Sequence, residues 1–182
     1  MIKLGETIIE DGINIKPNKK RQTVRAIIIK DKKVLMLYSK LFNDYTLPGG
    51  GIKEFEDHAS TLSRELLEEV GAKEIKAVKP FGFTTEIKYG INSYDNIYEQ
   101  TSYYYLVEAQ NFTKPSYVGR EKHQGLKPVF INYKKAIKHN EKIYKKRLKN
   151  DEKGFKTVIL RDNLVLKYIG EQIEKIWTNY QI

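Results

Sequence analysis

The apolar positions of the chain follow two different periods, and the switches between them predict the order of its elements. Residues 23–30 (TVRAIIIK) are rich in β-branched side chains, 31–33 are polar, and 34–38 (VLMLY) are apolar again, which predicts a hairpin. Residues 39–51 mix polar and aromatic side chains before Pro48 and three consecutive glycines, which is loop chemistry. Then the period lengthens. Ala59, Leu62, Leu66 and Val70 recur at steps of three and four behind Asp57, a natural N-cap, and Gly71 stands where a helix would stop. Residues 75–88 and 97–108 read as strands around a turn-rich stretch at 89–96, with one buried and one wetter face near YYYLV. Residues 126–132 (LKPVFIN) predict a further short strand. Residues 133–148 and 162–177 read as helices, the second carrying Leu166, Ile169, Ile173 and Ile176 on one apolar stripe.

Strands and helices are interspersed without a regular βαβ rhythm, so the expected class is α/β, a sandwich with a mixed β-sheet. With 182 residues and 40% hydrophobic content, one ordinary core is enough, and a single domain over 1–182 is expected. No internal repeat or low-complexity segment interrupts it. The chain has no cysteine, which excludes a disulfide scaffold, a thiolate zinc site and a cysteine nucleophile, and which suits a reducing cytoplasm. Charges punctuate the opening MIKLGETIIEDG, and apolar runs such as 26–29 are far too short to span a bilayer, so a soluble protein without a membrane partner is expected.

Charge changes the picture more sharply. The chain carries 33 Lys and Arg against 23 Asp and Glu, a net +10 that favours polyanionic partners such as nucleotides or RNA. Residues 50–71 reverse the sign, with six acids (Glu54, Glu56, Asp57, Glu65, Glu68, Glu69) against two bases (Lys53, Arg64). An acidic island in a basic chain suits a cation site that meets a phosphate-bearing ligand.

On a helix, Glu65 and Glu69 lie nearly above one another, and Glu68 lies about a third of a turn from both. Leu62, Leu66 and Val70 point elsewhere, so the apolar stripe can be buried while the acids face a cleft. Two carboxylates about 5 Å apart repel by roughly 3 kcal/mol at an effective dielectric of about 20, a penalty that a divalent cation reverses. All-oxygen ligands select Mg²⁺, with Mn²⁺ as a substitute, over zinc. Arg64 stands beside Glu65 and four before Glu68, placed to hold a carboxylate by paired hydrogen bonds. Taken alone, three glutamates fit a solvated helix with an ordinary ion pair better than they fit an enzyme.

The wider spacing reverses that balance. The segment LPGGGIKEFEDHASTLSRELLEEVGA resembles the Nudix box, G-x5-E-x7-R-E-U-x-E-E-x-G-U, where U is a bulky aliphatic residue. Gly50, Glu56, Arg64, Glu65, Leu66, Glu68, Glu69 and Gly71 match in register, and Leu47-Pro48-Gly49 resembles the usual entry. Ala72 replaces the last aliphatic residue, and Phe55 stands where the family usually has glycine. The resemblance is to the Nudix hydrolases, the MutT-like pyrophosphohydrolases. It implies an α/β/α sandwich, a box over 50–72 and extra C-terminal helices over about 133–177.

The resemblance further implies attack by water at phosphorus in a nucleoside diphosphate linked to another group. Glu65, Glu68, Glu69 and a backbone carbonyl at Gly49 or Gly50 would hold Mg²⁺, Arg64 would orient Glu65, and Glu56 would support the loop and helix start. For the general base, the REKHQG segment offers Glu121, with His123 second. Arg25, Phe42, Tyr45 and Tyr105 are candidates for substrate binding, since aromatic faces stack on bases. Ten bases against three acids over 134–156 keep an RNA 5′ end as an alternative substrate. A non-catalytic nucleotide sensor is the remaining alternative, disfavoured by the full carboxylate set. Homodimers are common in the family.

Overall fold

The computed structural model describes residues 1–90, 93–117, 120–150 and 153–179, with the side chains of 77, 93, 94, 120, 121 and 175–179 outside the description. The elements in order are β1 (Ile8–Ile9), β2 (Lys19–Ile27), β3 (Ile29–Lys30), β4 (Lys33–Ser39), β5 (Asp44–Thr46), α1 (His58–Val70), β6 (Ala72–Gly90) and β7 (Ser93–Phe112). They are followed by α2 (Arg120–Gln124), β8 (Leu126–Ile131), α3 (Tyr133–Lys149) and α4 (Lys156–Asn179).

The expected mixed sheet is present, in the order β1-β6-β7-β2. Its central pair β6/β7 is antiparallel, and both outer pairs are parallel. A second, antiparallel sheet joins β3, β4 and β5, with β8 on the other side of β4.

The period-2 rule assigns the two faces of the mixed sheet. Val24, Ala26, Tyr103, Tyr105 and Val107 face one way and pack with Leu62, Leu66 and Val70 of α1. Ile27, Tyr104 and Leu106 face the other way and pack with Val165, Leu166, Ile169 and Ile173 of α4 and Ala136 of α3. Helices therefore cover both faces, an α/β/α layering. Leu62 and Leu66 are fully buried, and each contributes about 1.5–3 kcal/mol by leaving water.

Three sequence expectations change in detail. The hairpin over 23–38 contracts to β3 against β4, Ile29↔Val34 and Lys30↔Lys33, turned by Asp31 and Lys32 at φ 50° and 59°. The longer strand joins the other sheet, because nine in-register pairs with β7 and burial against α1 outweigh a local turn. Within the stretch expected to be loop, Asp44–Thr46 pairs with β4. The last helix starts at Lys156 rather than 162. Thr157, Val158 and Ile159 are β-branched and poor helix formers, but burial of Ile159 and Arg161 at 1% exposure overrides propensity. Leu166, Ile169 and Ile173 are buried as expected, while the Ile176 side chain lies outside the described residues.

Phe55 explains the family's usual glycine at that position. Its φ is 66°, in the left-handed region, and its side chain is 99% exposed, so it is strained and packs on nothing. Phe55→Gly is expected to stabilise the fold by about 1 kcal/mol, the strain relief exceeding the added chain entropy. Urea unfolding checks this, and a loss of stability contradicts it.

Candidate active site

The acidic helix is set by its ends. The Asp57 carboxylate accepts from Ser60 N at 2.7 Å, the Ser60 hydroxyl accepts from Asp57 N at 3.0 Å, and Gly71 closes the helix at φ 72°. With the apolar stripe turned into the sheet, Glu65 and Glu69 come to its edge, 7% and 6% exposed.

The glycine loop meets them there. It lies along β2 as an extra strand, with Ala26 N donating to Pro48 O, Val24 N to Gly50 O and Ile52 N to Gln22 O at 2.9–3.1 Å. Gly49 has φ 128°, and a Cβ there would sit 2.2 Å from the Val24 carbonyl oxygen, so glycine is required twice over. A Cβ on Gly50 would fall 2.2 Å from Glu65 Oε1. Gly49 N donates to Glu69 Oε2 at 2.6 Å, which ties helix to loop. The Arg25 guanidinium donates to the carbonyls of Leu47, at 3.0 Å, and Gly49.

Arg64 does more than hold one acid. Its Nε and Nη2 form a fork on Glu56 at 2.7 and 2.8 Å, while Nη1 reaches Glu65 at 2.6 Å and stands 3.6 Å from Glu68. Glu56, expected to support the loop and helix start, also accepts from Thr61 Oγ1 and Lys53 N.

Behind these residues opens a cleft of about 700 Å³. Its acidic wall is Glu65 and Glu69 with Gly49 to Gly51, and its apolar wall includes Leu37, Leu41, Phe42, Leu126, Phe155 and Val158. Arg147 also lines it, stacked 5.9 Å from the rings of both Phe42 and Phe155 and paired with buried Asp44 at 2.9 Å. Burial raises the Asp44 carboxyl more than Arg147 lowers it.

The rest of the cleft is cationic: Arg21, Arg25, Lys88 and Arg161, with Gln100 among them. Glu86, Gln100 and Arg21 lie in one register row across β6, β7 and β2. Arg161 donates to Glu86 at 3.2 Å and to Asp162 at 2.9 Å. Burial alone would raise the Glu86 carboxyl most, but Arg161 and Lys88 together hold it below its ordinary value. Burial lowers the Lys88 ammonium, Glu86 partly opposes this, and the three arginines lower it further.

Of the residues singled out from sequence, Glu65, Glu69, Gly49, Arg25, Phe42 and His123 are brought to the cleft. Glu68 does not line it and is turned toward Arg64. Tyr45 packs on Tyr38 and His139 at 5.1 and 5.0 Å, and Tyr105 bonds His58 Nδ1 at 2.5 Å on the α1 face. Neither tyrosine lines the cleft. The Glu121 side chain lies outside the described residues. In the basic stretch, Arg147 and Lys156 are buried, whereas Lys134, Lys135, Lys138, Lys142, Lys145, Lys146 and Lys149 of α3 are exposed.

Arg21, Lys88, Gln100, Arg147 and Arg161 escaped the sequence reading. Their only signal was polar alternation, as in Thr84, Glu86, Lys88, which reads equally as a solvated strand face.

The donor set fits a hard cation. Two buried carboxylates and nearby backbone carbonyls suit Mg²⁺, which commonly uses one or two carboxylates and fills its shell with water and substrate phosphate. Among the described residues, no three Asp, Glu or His side chains are gathered into a ready cage.

The Arg64 fork, followed by the Thr61 and Lys53 bonds, holds the Glu56 carboxyl down to about 2. A carboxylate lowered on folding contributes stability above its unfolded value, near 4.3, that disappears as pH falls toward about 2. Carbon-13 NMR titration is expected to show Glu56 still ionised at pH 3, and Arg64→Lys, which loses the fork, is expected to raise its midpoint. An ordinary midpoint in the wild type contradicts the clamp.

The family model described as the NUDIX domain matches residues 19–149, from β2 to the end of α3. A MutT NUDIX hydrolase from Burkholderia pseudomallei is 18% identical, over 64% of this chain and 86% of that one, with a TM-score of 0.48. A MutT protein from Bacillus halodurans is 16% identical, over 65% and 72%, with a TM-score of 0.48. A MutT structure described for Aliivibrio salmonicida and Vibrio cholerae is 16% identical, over 64% and 82%, with a TM-score of 0.45. No curated protein matches the chain. Among the described residues no helix is long and apolar enough to cross a membrane. A family match over most of its length means that the chain belongs to the Nudix family, hydrolases that act on phosphorus-containing anhydrides.

Proposed function

We propose that this protein hydrolyses the diphosphate linkage of a nucleoside diphosphate joined to another group, in a reaction that depends on Mg²⁺, with Mn²⁺ as substitute. The observation that carries this reading is the division of one cleft into a buried carboxylate pair and a cationic floor. The pair calls for a cation and the floor calls for an anion, and a metal-bound diphosphate satisfies both.

In this proposal Glu65, Glu69 and the Gly49 carbonyl hold the metal, with Glu68 as a third carboxylate. When bound, the metal neutralises charge on the diphosphate and lowers the pKa of a water nucleophile. The chain's own residues supply position. Gly49 N fixes one oxygen of Glu69, and Arg64 fixes Glu65. Gly50 leaves room for the Glu65 carboxylate that no larger residue would. Phe42 faces the cleft and is our choice for contact with a base, in place of Tyr45 or Tyr105. His123, which lines the cleft, and Glu121 are the proposed proton acceptors.

A second reading, RNA 5′ ends as substrate, is favoured by the seven exposed lysines of α3. A panel of nucleoside diphosphate derivatives and 5′-triphosphorylated RNA, assayed with Mg²⁺ and with EDTA, separates the two. Turnover of RNA in preference to every small nucleotide would select the second. Glu69→Gln is expected to lower Mg²⁺-dependent turnover on the order of 100-fold or more, since even outer-shell partners of metals are worth 10–100-fold. Its circular dichroism melt is expected to match the wild type. Undiminished turnover by this variant, or full activity in EDTA, sinks the metal assignment.

A further inference from the structure

We propose that the floor of the cleft around Lys88 and Arg161, with exposed Arg21 at its rim, is a subsite for an oxyanion on the substrate that is separate from the diphosphate being cleaved. The chemical class is a phosphate monoester or a carboxylate carried on the nucleoside or on the group joined to it. Identifying the ligand as substrate rests on the function proposed above, whereas the anion site stands on its own geometry.

The ordinary explanation of a buried charged cluster is that its members satisfy one another. Here they do not. Lys88 is 6% exposed, and its ammonium makes no hydrogen bond or ion pair with any described residue. The acid closest in sequence, Glu86, is already engaged: one oxygen accepts from Gln100 at 2.9 Å and from Arg161 at 3.2 Å. Arg161 is 1% exposed and spends Nε on Asp162 and Nη1 on Glu86, leaving Nη2 buried without a partner. Arg25 Nε is also without one. Lys88, Arg25 and Arg161 stand against Glu86 and Asp162, so positive charge and unmet donors accumulate on one side of a ligand-sized cleft. The other Glu86 oxygen is without a hydrogen-bond partner as well, and it can accept a hydrogen bond from a monoester's remaining O–H or a neighbouring hydroxyl.

Position separates this cluster from the cleavage centre. The glycine loop pairs along β2, and beyond it lie β7 and then β6, which carries Lys88. Three strand spacings make about 14 Å, the reach of a nucleoside rather than of a single diphosphate. Arg25 serves the loop carbonyls and Lys88 lies farthest from them, while Arg161 reaches from Glu86 on β6 to Asp162, which accepts from Leu47 N. Arg21 lies at the rim with its guanidinium against Gly51.

The test uses substrates in pairs that differ by one anionic group: NADPH with NADH for a monoester, and UDP-glucuronate with UDP-glucose for a carboxylate. The subsite favours the anionic member of at least one pair about tenfold in kcat/KM, mainly through KM, and the pair that responds tells phosphate from carboxylate. In Lys88→Met that ratio is expected to fall toward one, and in Lys88→Arg to persist. A ratio near one for both pairs in the wild type, or an unchanged ratio in Lys88→Met, overturns the proposal.

A second measurement omits turnover. Inorganic phosphate in EDTA, compared with chloride at matched ionic strength, is expected to raise the melting temperature of the wild type and of Lys88→Arg but not of Lys88→Met. A phosphate shift without turnover of any substrate leaves the anion site standing and refutes the hydrolase reading. Turnover with no pair preference and no phosphate shift does the reverse. Both wild-type readouts hold even if the methionine variant fails to fold.

Discussion

The site depends on a contact that leaves no room for a side chain. The Glu65 carboxylate occupies the volume that a Cβ on Gly50 would need, and Gly49 N holds Glu69 from the same loop. This contact sets how closely α1 approaches β2, because the loop is itself hydrogen-bonded along that strand. The arrangement brings two like charges to the sheet edge, where each is almost fully buried. Backbone and Arg64 donors offset part of the cost.

Arg64 carries the other end of the constraint. Its fork on Glu56 joins the helix to the loop that precedes it, and the same guanidinium reaches Glu65. Positioning is what phosphoryl chemistry asks of a protein, since charge neutralisation and alignment matter more there than covalent help. Phe55 sits in that loop at positive φ, a local strain tolerated because the clamp and the helix cap hold both sides of it.

Across the cleft, the α4 face of the mixed sheet departs from the usual rule that a sheet packs apolar side chains against its helix. Near Ile27, Tyr104 and Leu106 it is apolar, and along the row of Arg21, Gln100 and Glu86 it is polar, with Gln100 and Glu86 buried. Buried polar clusters of this kind are costly unless complete. Here Arg25 Nε and Arg161 Nη2 lack partners against one Glu86 oxygen, so donors and positive charge are in excess. That polarity distinguishes the floor from the Phe42 and Phe155 wall, so the cleft presents three chemically distinct surfaces.

The box, the helix with its caps, the class of fold and the strands at 75–88 and 97–108 were legible in the chain, because each rests on local spacing: 3.6 for the helix, 2 for the strands, and fixed intervals for the motif. Sequence by itself also determined that the carboxylates share a helix with an apolar stripe. Only the tertiary structure decided which of them meet the cleft. It turned Glu68 toward Arg64 and sent Tyr45 and Tyr105 to packing positions. It moved residues 23–27 out of a hairpin and into the mixed sheet, since strand partners far along the chain leave no local mark. It also made a cleft floor of Lys88 and Arg161, with Arg21 at its rim. Alternating polar residues on a strand look the same whether water or a helix covers them, and here the covering element is α4, some 70 residues away from Lys88 in sequence and in contact only after folding.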